Sequence, residues 1–284
     1  MLWDRMKACD LCPRECGVNR LDGERGFCKA TSTLRIASFA PHYGEERILV
    51  GAGGSGTIFF SHCNLGCVFC QNWDISYHGS GKDYSLEELA GMMLHLQKSG
   101  CHNINVVTPT HYSPHILFAL DMAASRGLRV PLVYNTSGWE RSDVLDQLDG
   151  IVDIYLADYK YTDPEMASAY SAGASDYVEV TQQALLEMNR QVGVVWAEQN
   201  RVVYRGLMIR HLVMPGEVSG SLEAMRWIAA NLPTATFVNI MLQYRPTHLA
   251  HLYPEIDRPL SRKEYAAVVA EARTCGLNKL DVDI

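Results

Sequence analysis

The sequence predicts an α/β protein in which helices cover a parallel β-sheet. From about residue 51, short apolar runs alternate with segments whose apolar residues recur at helical spacing. Strand–helix alternation repeated six times is typical of a parallel sheet, because each helix returns the chain to the same end of the sheet. The predicted strands are 57–61, 103–107, 130–134, 152–157, 207–213 and 235–240.

The segments between and after these strands carry helix signals. Leu86, Leu89 and Leu96 recur at helical spacing, and Ser85 directly before this run is a suitable N-terminal cap. Similar patterns predict helices near 116–122, over 219–232 and over 261–275.

A glycine-rich stretch precedes the first predicted strand. Residues 51–56 match G-x-G-x-x-G, the fingerprint of dinucleotide-binding folds. That fingerprint binds phosphate only where the glycines follow a strand and open a helix, since the helix N-terminus receives the phosphate. Because these glycines come before a strand, we interpret them as a flexible lead-in turn.

The composition narrows the functional classes. A net charge of −7 over 284 residues argues against a nucleic-acid partner, because proteins that bind nucleic acid usually present a basic face. No apolar run reaches the roughly 18 residues of a membrane span, and the first residues lack a signal-peptide pattern. Nine cysteines are then expected as thiols or metal ligands in a reducing cytoplasm, not as disulfides.

The first 50 residues are predicted to form a cysteine-rich metal-binding segment and linker, ahead of a domain over 51–284. Cys9, Cys12, Cys16 and Cys28 lie among turn-forming prolines and glycines. Such a segment buries too little apolar surface to order itself, so a metal held by four thiolates is expected to stabilise it. Zinc and a second 4Fe–4S cluster both fit this spacing, and free thiols are the remaining interpretation.

Another group of cysteines follows the first predicted strand. Cys63, Cys67 and Cys70 have the spacing C-x3-C-x2-C, with Phe69 directly before the last of them. Thiolates bind iron–sulfur clusters and zinc alike, but a structural zinc site normally has four protein ligands. Three ligands leave one iron of a 4Fe–4S cubane open to a substrate or cofactor. We therefore interpret the trio as cluster ligands, with a zinc knuckle or three reduced thiols as alternatives.

This spacing and its context resemble the cluster loop of the radical S-adenosylmethionine (radical SAM) enzymes. The resemblance implies a partial, open (β/α)6 barrel with parallel strands, whose chemistry gathers at the carboxyl ends of the strands. It further implies a 4Fe–4S cluster that reductively cleaves S-adenosylmethionine (SAM), so that a 5′-deoxyadenosyl radical takes hydrogen from a substrate. A reductant protein of the flavodoxin or ferredoxin type is then an expected partner.

Two turns resemble the pyruvate formate-lyase-activating branch of these enzymes. The residues Asn135-Thr136-Ser137-Gly138 stand where that branch carries Asp-Thr-Asn-Gly, and Asp158-Tyr159-Lys160 stands where it carries Asp-x-Lys. In that branch the lysine pairs with the SAM carboxylate, and acidic and hydroxyl groups beside it hold a monovalent cation. The resemblance assigns the first role to Lys160 and the second to Asn135, Thr136 and Asp158.

Three other turns complete the SAM site that the resemblance implies. Thr108 and Thr110 stand where the family carries a Gly-Gly-Glu turn, and their carbonyls are candidates for binding the SAM amino group. Residues 209–216 resemble a segment of the form Ile-Arg-x-x-Val-x-Pro-Gly, which would place Arg210 at the SAM ribose and carboxylate. Arg245 stands roughly where the family carries a histidine near the adenosine.

The sequence leaves the substrate open. The nearest branch implies an activating enzyme that takes hydrogen from a backbone glycine of a partner enzyme. The altered turns and the N-terminal cysteines favour radical modification of a peptide, a metabolite or RNA instead. A non-catalytic iron–sulfur or zinc adaptor is the third hypothesis. A protein or peptide substrate is thus a candidate partner, a membrane is not expected, and the net charge disfavours nucleic acid.

Overall fold

A computed structural model describes residues 2–197 and 202–282. One sheet runs through these residues, and helices lie along the chain between its strands. The strands are β1 (Leu34–His42), β2 (Ser55–Phe60), β3 (Lys82–Tyr84), β4 (Ile104–Val107), β5 (Leu132–Thr136), β6 (Ile154–Asp158), β7 (Trp196–Ala197), β8 (Val203–Leu212), β9 (Phe237–Met241) and β10 (Lys279–Val282). The helices are α1 (Arg47–Val50), α2 (Trp73–His78), α3 (Leu86–Lys98), α4 (Ser113–Ser125), α5 (Ser142–Leu145), α6 (Pro164–Tyr170), α7 (Tyr177–Val192), α8 (Ser221–Asn231) and α9 (Arg262–Thr274).

The sheet confirms the predicted open α/β barrel. Its order is β10-β9-β8-β6-β5-β4-β2-β1-β3, and every pair from β10 to β2 is parallel. The six predicted strands are β2, β4, β5, β6, β8 and β9. The two ends of the order, β10 and β3, are edges, so the barrel stays open. The start of β5 moves to Leu132 because Pro131 has no N–H to donate to a ladder.

Four strands were not predicted. The strand β1 pairs antiparallel with β2, and β3 pairs antiparallel with β1, so both extend the barrel at its β2 side. Most of β1 is exposed beyond Ile36, which removes the apolar alternation that marks a half-buried strand. The predicted segment of residues 1–50 thus contains a strand of the barrel sheet, and its boundary at residue 50 stays a prediction. The short β7 pairs only with β8, and β10 adds a parallel edge.

Two helices begin where the sequence signals place them. Ser85 caps α3 through a reciprocal pair of hydrogen bonds with Glu88, and Ser261 caps α9 in the same way with Glu264. The glycine-rich turn leads into β2, in agreement with the sequence analysis. At Gly53 an added Cβ would lie 1.9 Å from the Gly100 carbonyl oxygen, so only glycine fits there. Among the described helices, none has the length and apolarity needed to cross a membrane.

Strand alternation gives the sheet two different faces. Along β8, Leu207 and Ile209 pack in the larger core, whereas Met208 belongs to a smaller cluster on the opposite face. Leu49 of α1 packs in that smaller cluster with Ile154 and Leu156, two residues of β6. The short helix α1 therefore packs against the face of the sheet opposite the larger core.

Candidate active site

The three-cysteine loop (residues 61–72) joins β2 to α2 and is held by distant parts of the chain. The Val68 N–H donates to the Tyr170 carbonyl at 2.9 Å, and the Val68 carbonyl accepts from the Leu249 N–H at 2.8 Å. The Thr247 hydroxyl donates to the Phe69 carbonyl at 3.1 Å. These bonds tie the loop to the segments after β6 and β9, so the fold determines its shape.

Positive φ angles allow the loop to turn on itself. Gly66 has φ of 72°, and an added Cβ there would lie 2.9 Å from the Phe27 ring. Its carbonyl accepts a hydrogen bond of 2.6 Å from the Tyr77 hydroxyl. His62, which is not glycine, has φ of 75°, a conformation that costs free energy and often marks a functional site.

The three thiols of this loop have hydrogen-bond partners. The Leu65 N–H donates to the Cys63 Sγ at 3.4 Å, and the Ser171 hydroxyl donates to the Cys67 Sγ at 3.2 Å. The Cys70 Sγ lies 3.2 Å from the Ser76 hydroxyl. Burial raises the pKa of Cys63 to about 11 and that of Cys67 to about 12, so both are protonated until a metal displaces the proton.

This donor set fits an iron–sulfur cluster. Thiolates are its usual ligands, and hydrogen bonds to sulfur tune its potential. Across residues 2–197 and 202–282, no three His, Cys, Asp or Glu side chains are arranged to hold a single metal ion. Three thiols on one loop are one short of the four protein ligands that a structural zinc site normally has, so this donor set suits three corners of a cluster.

The turn after β6 is a compact charged site. The Lys160 ammonium donates to the Asp158 carboxylate at 2.6 Å, and both side chains are mostly buried. Burial alone would lower the pKa of Lys160, but the Asp158 carboxylate and the neighbouring Cys67 and Tyr177 raise it above its usual value. The Tyr177 hydroxyl accepts a hydrogen bond of 2.9 Å from the backbone N–H of Lys160 and donates one of 2.9 Å to the Ser137 carbonyl. Tyr177, which the sequence analysis missed, therefore joins the turn after β5 to the turn after β6.

Arg210 lies beside this turn but is already paired. It is opposite Asp158 on β6 and opposite Asn239 on β9 in the ladder. Its guanidinium donates to the Glu46 carboxylate at 2.7 and 2.8 Å and also pairs with Glu45. Burial would raise the pKa of Glu46, but Arg210 holds it below its usual value. The predicted SAM arginine is thus held by carboxylates at the start of α1.

A buried carboxylate lies beneath two of the predicted SAM turns. Glu140 is fully buried, and its Oε1 accepts from the Thr110 hydroxyl at 2.6 Å and from the Thr136 hydroxyl. Its Oε2 has no partner among the described residues. Burial raises the pKa of Glu140 to about 7, although the two hydroxyls act in the opposite direction. The side chains of Thr110 and Thr136 are therefore occupied by Glu140.

Two other predicted site residues, Thr108 and Asn135, lie at the ends of β4 and β5. Thr108 has φ of 58°, a strained conformation for a β-branched residue, directly after β4. Its N–H donates to the Asn135 carbonyl at 2.9 Å, so these two turns are neighbours. The Asn135 side chain is 8% exposed at the end of β5.

Arg245 lines a cavity that contains none of the other predicted SAM-site residues. It is exposed and lines a cavity of about 630 Å³ with Pro246, Pro259 and Arg262. His248, three residues later, instead stacks on Trp73 with ring centroids 5.6 Å apart and contacts Tyr77 at 4.4 Å. His248 therefore lies against the end of the three-cysteine loop, whereas Arg245, which the resemblance places near the adenosine, lines a different cavity.

The four-cysteine segment (residues 9–28) packs directly on this site. Arg14 donates to the carbonyls of Asn64 and Leu65 at 3.0 and 3.1 Å and to that of Ala172 at 2.8 Å. The buried Arg20 donates to the His111 carbonyl at 2.7 Å. Two arginines of the segment thus satisfy backbone carbonyls of the three-cysteine loop and of the turn after β4.

Comparison with known proteins agrees with this geometry. A model of the radical SAM superfamily matches residues 57–196. An uncharacterised protein of Methanocaldococcus jannaschii is 35% identical over 268 residues, which cover 91% of this chain and 72% of that protein. A radical SAM methyltransferase from Sphaerobacter thermophilus has a TM-score of 0.56 at 15% identity, over 80% of this chain and 65% of that one. Methylornithine synthase has a TM-score of 0.52 at 13% identity, over 80% and 70% of the two chains.

An open parallel barrel with three cysteines after its first parallel strand defines an iron–sulfur enzyme of the α/β class. The chain belongs to the radical SAM superfamily. Its cofactors are therefore a 4Fe–4S cluster and SAM, and its chemistry is the cleavage of SAM by that cluster.

Proposed function

We propose that this radical SAM enzyme takes hydrogen from a protein or peptide, with a backbone glycine of a partner enzyme as the target. The observation that carries the proposal is the pair of turns joined by Tyr177, Asn135–Gly138 and Asp158–Lys160. These are the two turns that resemble the pyruvate formate-lyase-activating branch. The bound cluster supplies the electron that cleaves SAM, and the residues around it orient the cofactor and exclude water.

Lys160 is proposed to bind the SAM carboxylate. Its ammonium stays charged beside Asp158 and interacts electrostatically with Cys67, a proposed cluster ligand. A buried ammonium in this place recognises a carboxylate through charge-assisted hydrogen bonds. Asp158 in turn fixes the direction of the lysine side chain. With Asn135 and Thr136 it remains our candidate for a monovalent cation site.

The amino group and the adenosine of SAM are proposed to meet other residues. The carbonyl of Thr108 is our candidate for the amino group, because this residue directly follows β4 at the carboxyl edge of the parallel sheet. For the adenosine we propose His248 in place of Arg245, since His248 packs with Trp73 and Tyr77 beside the loop. Arg210 is proposed to act mainly through Glu46 and Asn239, by holding the strand ends in place.

A basic groove supports an acidic reductant protein as the electron donor. Arg25 of the four-cysteine segment and Lys29, directly after that segment, are exposed and line a cavity of about 350 Å³ with Arg35, His62 and one acidic residue, Asp83. Positive charge beside the three-cysteine loop, on a chain of net charge −7, is complementary to a flavodoxin or ferredoxin type of partner. Reduction by such a protein should slow steeply with added salt, whereas reduction by dithionite, a small anion, should slow much less. Nine free thiols support our proposal of a cytoplasmic location.

The substrate class can be tested by following deuterium. Cells are grown on glycine deuterated at Cα, and the anaerobically reconstituted enzyme is incubated with their lysate, SAM and a reductant. The proposal expects deuterium in 5′-deoxyadenosine and a glycyl radical spectrum in the protein fraction. The Lys160→Met variant removes the ammonium that is proposed to bind SAM. Its matched control is Lys98→Met, which replaces an exposed lysine at the end of α3.

Fractionation decides between the proposal and its alternatives. Protease treatment of the lysate should abolish deuterium transfer if a protein or peptide is the substrate. Loss of transfer after RNase treatment, or transfer from the small-molecule fraction alone, would replace the proposal with RNA or a metabolite. An absence of SAM cleavage in every fraction and without lysate would favour a non-catalytic adaptor.

A further inference from the structure

We infer that Glu140 is a positioning residue for SAM, which sets the affinity for this cofactor by holding the turns after β4 and β5 together. SAM itself is the cofactor that the family establishes. The inference rests on the proposed SAM site at the carboxyl ends of the strands, and it does not depend on the substrate. Glu140 acts through the two turns, since it is fully buried beneath them.

One carboxylate oxygen of Glu140 joins the two turns. Its Oε1 accepts from the Thr110 hydroxyl at 2.6 Å and also from the Thr136 hydroxyl. Thr110 follows β4 and Thr136 ends β5, and these strands are neighbours in the parallel sheet. Because Glu140 is 0% exposed, bulk water does not compete for these bonds. Two directional bonds to one oxygen fix the separation of the turns, which an apolar side chain of the same size would not do.

The turns that Glu140 joins carry two residues of the proposed site. The Thr108 N–H donates to the Asn135 carbonyl at 2.9 Å, so the two turns also meet directly. Asn135 immediately precedes Thr136, and Thr108 lies two positions before Thr110. A shift of either threonine therefore changes where the Thr108 carbonyl and the Asn135 side chain lie.

Glu140 and the Asn135 side chain lie on different faces of the sheet. Along β5, Val133 packs in the smaller cluster and Tyr134 packs in the larger core. Successive side chains of a strand point to opposite faces, so Thr136 shares the face of Tyr134 and Asn135 shares the face of Val133. Glu140 thus holds the end of β5 from the side of the larger core and leaves the Asn135 side chain on the other face. A residue in this place acts through its neighbours and not by contact with the cofactor.

The turn after β5 extends this constraint to the turn after β6. The Glu140 N–H donates to the Gly138 carbonyl at 3.0 Å, and the Gly138 N–H donates to the Thr136 hydroxyl oxygen at 3.3 Å. Gly138 has φ of 81°, and an added Cβ there would collide with the Asp158 carbonyl oxygen. This compact turn therefore lies against Asp158, two positions before Lys160. Displacement of Glu140 should then also move Lys160, the proposed partner of the SAM carboxylate.

The burial of this carboxylate also indicates a functional constraint. The Glu140 Oε2 has no hydrogen-bond partner among the described residues. A buried polar atom without a partner destabilises the folded state. Such a group is expected where it fixes a geometry that function requires, and not where a side chain only fills space.

Measuring SAM affinity in two variants of the reconstituted enzyme tests the inference. In Glu140→Ala the link is lost, so the dissociation constant of SAM should rise about 10-fold, as expected for the loss of about one net hydrogen bond, while iron content stays unchanged. Thr110→Val removes one donor of the same link at nearly the same volume and should also raise the constant. Titration of the SAM-induced change in the electron paramagnetic resonance spectrum gives each constant, and equilibrium dialysis with labelled SAM checks it.

Rescue and coupling separate positioning from a general loss of structure. Glu140→Gln keeps an oxygen that accepts from both hydroxyls, so its SAM affinity should be close to that of the wild type. The double variant Glu140→Ala/Thr110→Val should bind SAM no more weakly than Glu140→Ala alone, because both changes break one link. If Glu140→Ala does not fold, Thr110→Val and Thr136→Val carry the test, and together they should weaken binding no more than either alone.

Asp153→Ala controls for lost stability. Asp153 also joins two strands, because its carboxylate accepts from the Leu132 N–H at 2.9 Å, but it directly precedes β6 and so lies at the opposite end of the strands from the proposed site. This variant should lower the free energy of unfolding and leave SAM affinity unchanged.

Two results would overturn the inference. One is a SAM affinity of Glu140→Ala and Thr110→Val equal to that of Asp153→Ala. The other is full additivity of the Glu140→Ala and Thr110→Val effects, since the two residues would then act independently. Lys160→Met, measured in parallel, distinguishes this failure from failure of the proposed site. A loss of affinity there with none in Glu140→Ala refutes this inference alone, whereas no loss in either variant also refutes the proposed SAM site.

Discussion

The two cysteine regions of this protein are fixed in place by different kinds of hydrogen bonds. The three-cysteine loop is bonded to Tyr170, Thr247 and Leu249, which lie after distant strands of the barrel. The four-cysteine segment is held mainly by short-range bonds, such as those of Cys9 with Gly17 and Val18 at 3.0 and 2.9 Å. A loop that the barrel already holds can leave one iron free for chemistry. The four-cysteine segment has neither an α-helix nor a β-strand among its described residues, so its order depends on these short bonds and on the contacts of Arg14 and Arg20.

The largest effect is expected from removing one ligand of the loop. In Cys67→Ala the cluster loses one of only three protein ligands, so SAM cleavage should fall to background and the SAM-responsive spectrum should disappear. Iron analysis, electron paramagnetic resonance and 5′-deoxyadenosine formation measure these outcomes, with Cys275→Ala as the control. Unchanged cleavage would mean that Cys67 is not a ligand.

Lys160→Met should separate cofactor binding from cluster binding. The variant keeps a side chain of similar length but loses the charge that faces the proposed SAM carboxylate. A charge-assisted hydrogen bond contributes about 1.5–3 kcal/mol, so the dissociation constant of SAM should rise about 10–100-fold while iron content stays the same. Titration of the SAM-induced spectral change gives the constant. An affinity equal to that of Lys98→Met would remove Lys160 from the SAM site.

Glu140→Gln should change how stability depends on pH. Burial raises the pKa of Glu140 from 4.5 to about 7 in the folded protein, so folding favours the protonated carboxyl. Its contribution is complete below pH about 4.5 and declines as pH rises to about 7, by on the order of 3 kcal/mol. The glutamine variant should lack this decline. Denaturant unfolding at several pH values compares the two, and parallel profiles would contradict the pKa shift.

The smallest effect is expected at the link between the two regions. Arg14→Ala removes hydrogen bonds to Asn64, Leu65 and Ala172, and the free energy of unfolding should fall by about 1–3 kcal/mol. Chelators should also remove iron from the three-cysteine loop faster. Thermal unfolding and the rate of iron loss are the measurements. Arg190→Ala, an exposed arginine paired on the surface of α7, should change neither, and an equal response of both variants would exclude a specific link.

The sequence was enough to name most of the candidate site residues because the relevant signals are local. Cysteine spacing is set by the covalent chain, and the Asp158–Lys160 turn directly follows an apolar strand. In a parallel sheet such turns meet at one edge, so their order along the chain was enough to bring Asp158 and Lys160 together with the turn at Ser137. The strand β1 was missed because only its pairing with β2 makes it part of the sheet.

Contacts between distant residues could not be predicted in this way. Glu140 lies 30 positions from Thr110, and no spacing pattern links the two. Arg210 falls inside a predicted strand, as the structure has it, but its pairing with Glu46 joins residues 164 positions apart. The position of His248 against Trp73 depends on how the segment after β9 returns to the loop.

By itself the amino-acid sequence determined which cysteines are candidate metal ligands, how these cysteines are spaced and which strand each candidate turn follows. These properties depend on covalent neighbours and on the two periodicities of secondary structure. The tertiary structure alone decided which charges are paired, which hydroxyls Glu140 occupies and how the two cysteine regions meet through Arg14. Such contacts depend on burial and on hydrogen bonds between parts of the chain that are far apart in sequence, and no local pattern records them.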